Sequence, residues 1–152
     1  MTLKDLINKM ERVAASQPAI NMIVRQDVFR INDCTSKRYG IFSWVQQRHR
    51  TSVNSSLIDF TFILYYVDRL TEDFHNMTDV HSTGISTLDN IIRQMNEEGV
   101  FVQEGYSFLV ARQKFLDECG VVYAEVTFSV KKDDLCAEDG AAISDESNVI
   151  IY

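Results

Sequence analysis

Gly120-Val121-Val122-Tyr123-Ala124-Glu125-Val126-Thr127-Phe128-Ser129-Val130-Lys131 is the stretch on which the fold turns. Val122, Ala124, Val126, Phe128 and Val130 share one parity; Val121, Tyr123, Glu125, Thr127 and Ser129 share the other. The segment therefore predicts a strand with one buried face and one mixed face. Leu57 to Leu70 reads the same way, with Ile58, Phe60, Phe62, Leu64 and Tyr66 against Asp59, Thr61, Ile63, Tyr65 and Val67. Tyr39 to Thr51 carries Ile41, Phe42, Trp44 and Val45, and only the polar Ser52-Val53-Asn54-Ser55-Ser56 separates it from the next strand. A β-hairpin is the economical reading, with strands long enough to project past a small core or to contain a bulge.

Two helices frame these strands. Leu3, Leu6, Ile7, Met10, Val13 and Ala14 recur at helical spacing, Thr2 and Asp5 resemble a capping box, and Pro18 ends the pattern, so a helix is expected from about 3 to 16. A second is expected from about Asp79 to Glu98, with a stripe of Ile85, Leu88, Ile91, Ile92 and Met95 and Gly99 at its C′ position. Ile20 to Ile31 alternates like a strand before the turn Asn32-Asp33-Cys34-Thr35-Ser36, and Tyr106 to Phe115 gives a further strand. The order α-β-β-β-α-β-β, joined by hairpins, predicts an α+β fold. Its sheet would be mixed or mostly antiparallel, of about five strands, with the N-terminal helix and the long helix packed on it.

Charge divides the chain at residue 132. Six of the 22 acids lie between Asp133 and Glu146, a stretch with no Lys or Arg, and the remaining 16 acids nearly balance 15 Lys and Arg. A domain over 1–132 followed by an acidic extended arm over 133–152 is the expected organisation, the arm ending in the apolar Val149, Ile150, Ile151 and Tyr152. Arg25, Arg30, Lys37, Arg38, Arg48 and Arg50 outnumber Asp27 and Asp33 in their stretch, but a pI near 4.9 argues against a dedicated nucleic-acid binder. No apolar run approaches the length of a membrane span, and the N-terminus has no secretory pattern. Cys34, Cys119 and Cys136 are odd in number and irregularly spaced, which suits reduced thiols.

Catalytic motifs are missing. There is no glycine-rich nucleotide fingerprint, phosphate loop or nucleophile elbow. His75 and His81 have no nearby cysteine to complete a metal site, Cys119 sits beside Asp117-Glu118, which oppose a thiolate, and Asp68, Glu72 and Asp73 read as solvated loop acids. An enzyme is the less expected class, and no metal or cofactor is expected.

Several phrases, in order, resemble small structural proteins of tailed bacteriophages: the tail-terminator, tail-completion and neck-ring proteins of the head–tail junction. Gln26-Asp27-Val28-Phe29-Arg30-Ile31-Asn32 echoes that family's Gly-Asp-Ile-Phe-Asp-Ile-Asp phrase, with Gln26, Arg30 and Asn32 in place of Gly and acids. Tyr39-Gly40-Ile41-Phe42-Ser43-Trp44-Val45, Phe60 to Asp68 and the helix Leu88 to Met95 come next in the same order. Phe115-Leu116-Asp117-Glu118-Cys119-Gly120-Val121-Val122 and Glu125 to Val130 then resemble its closing strand pair, so the similarity spans about residues 3 to 132. It implies a homo-oligomeric ring of six or twelve copies, without catalysis, stacked between portal, adaptor or tail rings. DNA would be met only by passage through the lumen, and no membrane is involved. The expected location is the virion neck, with assembly in the host cytoplasm, and a crAss-like phage is the expected source. The competing reading is a small α+β ligand-binding or enzyme-like domain of thioesterase or nuclear-transport type, or a single-partner adaptor.

Within the ring reading, Arg48 and Arg50 either line the channel or pair with acids of an adjacent ring. Val149, Ile150, Ile151 and Tyr152 are expected to add a strand to, or fill a groove on, a neighbouring subunit or ring, the other course being docking on the chain's own sheet. The sheet core is expected from Phe60, Phe62, Leu64, Val126 and Phe128, covered by Ile85, Leu88, Ile92 and Met95.

Overall fold

A computed structural model describes residues 2–103, 105–132, 143 and 148–152. Helix α1 spans Leu3–Ala15. Its capping box is reciprocal: the Asp5 N–H donates to Thr2 Oγ1 at 3.1 Å, and the Thr2 N–H donates to Asp5 Oδ2 at 2.9 Å. Leu6, Met10, Val13 and Ala14 form its buried stripe.

Strand β1 is only Met22–Arg25, and a 3₁₀ helix over Val28–Asp33 replaces the rest of the strand expected to Ile31. The break has a local cause. Gln26 adopts φ +73°, and the Asp27 carboxylate accepts the Phe29 N–H at 2.8 Å, a cap that competes with extended pairing. β2 (Ile41–Thr51) and β3 (Leu57–Arg69) form the long hairpin, which leads into α2 (Met77–Glu97). β4 (Phe101–Val102), β5 (Leu109–Phe115), β6 (Asp117–Lys131) and β7 (Ile150–Ile151) complete the chain.

The fold is α+β with a mixed seven-stranded sheet, larger than the five strands expected. Its order is β4-β6-β3-β2-β1-β7, and β5 also pairs with β6, beside β4 along the same edge. β1 runs parallel to β2 and to β7; the other pairings are antiparallel. One register irregularity, between Gln46 and Arg48 of β2, leaves Gln47 as an extra residue.

Both helices pack on one sheet face. Phe42, Trp44, Phe60, Phe62, Leu64, Tyr66, Ala124, Val126 and Phe128 meet Leu6, Met10, Leu88, Ile91, Ile92 and Met95 there. Ile85, expected in the α2 stripe, is 37% exposed; Val80, Gly84 and Thr87 are buried in that part of the helix. Gly84 sets this rotation, because a Cβ there would lie 2.6 Å from Val122 Cγ2 and 2.7 Å from Tyr66 Cδ1. Gly99 (φ +95°) ends α2 as expected, with its N–H on Asn96 O and the Val100 N–H on Met95 O, the paired bonds of a Schellman cap.

On the opposite face the 3₁₀ helix covers a second, smaller core. Val28, Ile31 and Cys34 lie over Met22, Val24, Ile41, Val67 and Val121. No helix of the described residues is long and apolar enough to cross a membrane.

Candidate interaction surface

Two networks fix the parts that bear on the surface. The Glu11 carboxylate, on α1 and 1% exposed, accepts from Arg25 Nε and Nη2, both at 2.8 Å, and from Trp44 Nε1 at 3.1 Å. That bidentate pair clamps α1 to β1 and β2. At the far end of the sheet, Tyr39 Oη donates to Asp117 Oδ2 at 2.6 Å, and Arg69 Nη2 lies 3.9 Å from Asp117 Oδ1.

The basic excess between Arg25 and Arg50 does not gather into one patch. Arg25 is held by Glu11. Arg30 donates to Arg25 O at 2.8 Å and sits 4.9 Å over the Tyr152 ring; Lys37 and Arg38 donate to the carbonyls of Cys34 and Asn148. Arg48 and Arg50 differ: both are exposed, and their side chains make no hydrogen bond or ion pair among the described residues. The extra residue Gln47 decides where they lie. Counting alternation from Trp44 would place Arg48 and Arg50 on the helix-covered face, yet Arg48 opposes Thr61 and Arg50 opposes Asp59. Directly opposed residues share a face, so both arginines stand on the open side. His49 opposes Phe60 instead, with ring centroids 6.1 Å apart.

The open side carries polar rows. Thr61 Oγ1 and Thr127 Oγ1 are 2.9 Å apart, and Ser129 Oγ donates to Asp59 Oδ1 at 2.6 Å. Toward the 3₁₀ helix it turns apolar. Tyr65 and Tyr123 stack at 5.8 Å, Phe29 meets Phe115 at 5.8 Å, and a groove of about 210 Å³ lies between them. Burial raises the pKa of the Tyr65 phenol above its usual value, with the charges of Tyr123 and Asp27 adding to the shift. Phe29 and Leu109 are more than half exposed there, at 56 and 54%, as are Leu116 at the β5–β6 turn (66%) and Val110 on the other side of β5 (51%). Leu116 also adopts φ +70° at the β5–β6 turn, a conformation rare for leucine. The run Phe108-Leu109-Val110 reads as strand in the sequence, but nothing in its period says that it lies at a sheet edge.

The C-terminal residues lie on the chain's own sheet. Ile150 and Ile151 pair parallel with Met22 and Ile23, the Tyr152 N–H donates to Ile23 O at 2.8 Å, and Tyr152 O accepts the Arg25 N–H at 3.0 Å. Ile151 and Val149 pack against the main core. These are contacts of the second course, docking within the chain, and they leave β7 as the outermost strand of the sheet on that side. The rest of the arm, including the acids from Asp133 to Glu146 and Cys136, lies outside the described residues.

Among the described residues the reactive candidates sit in separate settings. Cys119 is buried, and burial first, with Asp117, Asp68 and Glu118 adding to it, pushes its thiol up to about 11, although the Tyr39 hydrogen bond opposes the shift. A thiol so raised is a poor nucleophile at neutral pH. Burial likewise raises the Cys34 thiol and the Tyr39 phenol. His81 lies 3.0 Å from Ala111 O, whereas His75 is exposed beside Asp73. No group of His, Cys, Asp and Glu able to hold a metal ion occurs among the described residues. A groove of about 410 Å³ between α2 and β4, lined by Ile92, Phe101, Val102 and Tyr106 with Arg93 and Glu97, is the one that falls to the ligand-pocket reading.

Fold and surface together define a single-sheet α+β protein with exposed apolar residues at one edge of the sheet. No family model matches the chain, and no curated protein matches it.

Proposed function

We propose that this chain is a structural virion protein that assembles into a ring at the head–tail junction of a tailed bacteriophage, joining portal-side and tail-side rings around the DNA channel. The observation that carries the reading is the sheet face away from the helices. Beyond the 3₁₀ helix no second helix covers it among the described residues, and it is bordered by the exposed Phe29 and Leu109, with the exposed Leu116 at the adjoining β5–β6 turn. Exposed apolar residues grouped in this way mark contact surfaces, and a protein built to stack between neighbours needs several of them. The run of elements from α1 through the long hairpin and α2 to β6 follows roughly the order that the resemblance implies, with the 3₁₀ helix and β4 added to it.

Light scattering on the full chain, with negative-stain microscopy of the same sample, tests the proposal. Closed rings of six or twelve copies are the expected result. A protein that remains monomeric at every accessible concentration refutes self-assembly. A tight small-molecule ligand in the groove between α2 and β4 would favour the pocketed-domain reading instead.

A further inference from the structure

We infer that the β2–β3 hairpin tip of one copy seats in the groove between the 3₁₀ helix and β5 of a second copy, an inference that rests on the ring reading. The groove is apolar and small, about 210 Å³, with the Tyr65–Tyr123 stack as its floor and Val28, Phe29, Ala111 and Phe115 among its walls. It suits an aliphatic side chain carried on a narrow turn.

The chain displays one such group. Val53 is 98% exposed at the hairpin tip, flanked by Ser52, Asn54 and Ser55, and the preceding β2 residues Gln47 to Thr51 are all exposed. The tip is held in shape before any partner arrives. Lys132 Nζ donates to Ser52 O at 2.7 Å, the Lys132 N–H donates to Ser56 O at 2.8 Å, and the Ser55 N–H donates to Ser52 O at 3.1 Å. A preformed tip loses little conformational freedom on docking.

Charge matches as well. Arg48 and Arg50 rise from the arm with no ion-pair partner among the described residues. At the groove, Asp27 and Glu125 are exposed and make no ion pair among the described residues; Asp27 acts electrostatically on Tyr65, and Glu125 is two residues beyond Tyr123 on the same face. Geometry excludes self-docking. The groove floor at Tyr65 and the start of β3 at Leu57 lie on one straight strand, roughly 26 Å apart at strand rise, so a hairpin cannot reach its own groove. Two different surfaces that fit each other make a heterologous contact, which closes a ring when the rotation between neighbours completes a circle.

Two variants of the full chain separate the halves of the contact. Val53→Asp charges the tip without touching the fold, and Ala111→Arg fills the groove from a half-buried edge-strand position; unchanged melting of each is the folding control. Each alone should weaken self-association by at least about tenfold in Kd, as measured by sedimentation. Mixed together they should form a 1:1 complex that grows no further, because one supplies an intact hairpin and the other an intact groove. Wild-type rings that persist in both variants would overturn the docking and leave the ring reading standing. Loss of assembly in both variants with no complex in the mixture would also overturn it. A wild-type protein that stops at a dimer, and loses that dimer in both variants, would sink the ring and keep the docking. A wild type that never self-associates overturns both.

Discussion

Replacing Glu11 with Gln tests the reasoning about what holds α1 to the sheet. The substitution keeps shape and volume but removes a charge that is 1% exposed and accepts three hydrogen bonds. Removing one partner of a fully buried ion pair costs about 3–5 kcal/mol. Here the Arg25 side chain is 39% exposed and can recover part of its hydration, which brings the expected cost to about 2–3 kcal/mol. In a chain of this size that is a fall in Tm of roughly 4–12 °C. Trp44 is the sole tryptophan, and its indole N–H is one of the three donors, so its fluorescence reports the site directly while urea melts give the free energy. Arg25→Met should cost more than Glu11→Gln, because it leaves the carboxylate buried and unpaired. Glu11→Leu combined with Arg25→Met should cost less than the two single changes added together. A loss under about 1 kcal/mol for Glu11→Gln, with unaltered Trp44 emission, would refute the clamp.

Packing and titration give three further expected outcomes. Leu88→Ala, at a fully buried position against the sheet, should cost about 2–5 kcal/mol in denaturant melts, whereas Ile85→Ala, three residues earlier, should stay within about 1 kcal/mol. Alkali should destabilise the fold: the Cys119 thiol is raised from 9.0 to about 11, so unfolding releases its proton first, and stability falls as pH climbs from 9.0 toward 11. Cys119→Ala should flatten that part of the profile while the raised Tyr39 phenol keeps the loss at higher pH. Deleting Val149 to Tyr152 strips β7 from β1 and removes the Tyr152 ring from Arg30, for an expected cost of about 2 kcal/mol or roughly 4–8 °C in Tm. An unchanged melt would mean that β7 adds nothing to its own fold.

Local pattern carried the fold where one element's period met one surface. α1 and β6 were legible for that reason: a single stripe with its capping box, and a strict alternation that pairs with β3 from Lys131 to Cys119 without a break. α2 was legible as a helix but not in its rotation. Hydrophobicity selects Ile85, yet the helix leans on Gly84, whose missing Cβ admits Val122 and Tyr66. The strand from Ile20 ends early because Gln26 turns left-handed and Asp27 caps the 3₁₀ helix, and apolar alternation continues through both. Parallel pairing of β7 with β1 joins residues more than a hundred positions apart, and no local period encodes such a match.

The contact surface was harder to read than the core, and the reason is physical. Core positions are selected by burial, which leaves a periodic trace in residue type; contact positions depend on which face a residue occupies and on whether its charge is already matched. Arg48 and Arg50 show both effects. Their side of the sheet is inverted by one extra residue, Gln47, so parity counted from Trp44 gives the wrong face. Their availability results from the engagement of the other cations of the stretch: Arg25 by a carboxylate, and Arg30, Lys37 and Arg38 by carbonyls. Sequence can count six basic residues there but cannot see those long-range commitments. What remains is two guanidinium groups with no ion-pair partner among the described residues, on a hairpin tipped by a bare valine and facing away from the helices. The described residues give that combination no internal partner, and a groove with exposed carboxylates on a second copy gives it one.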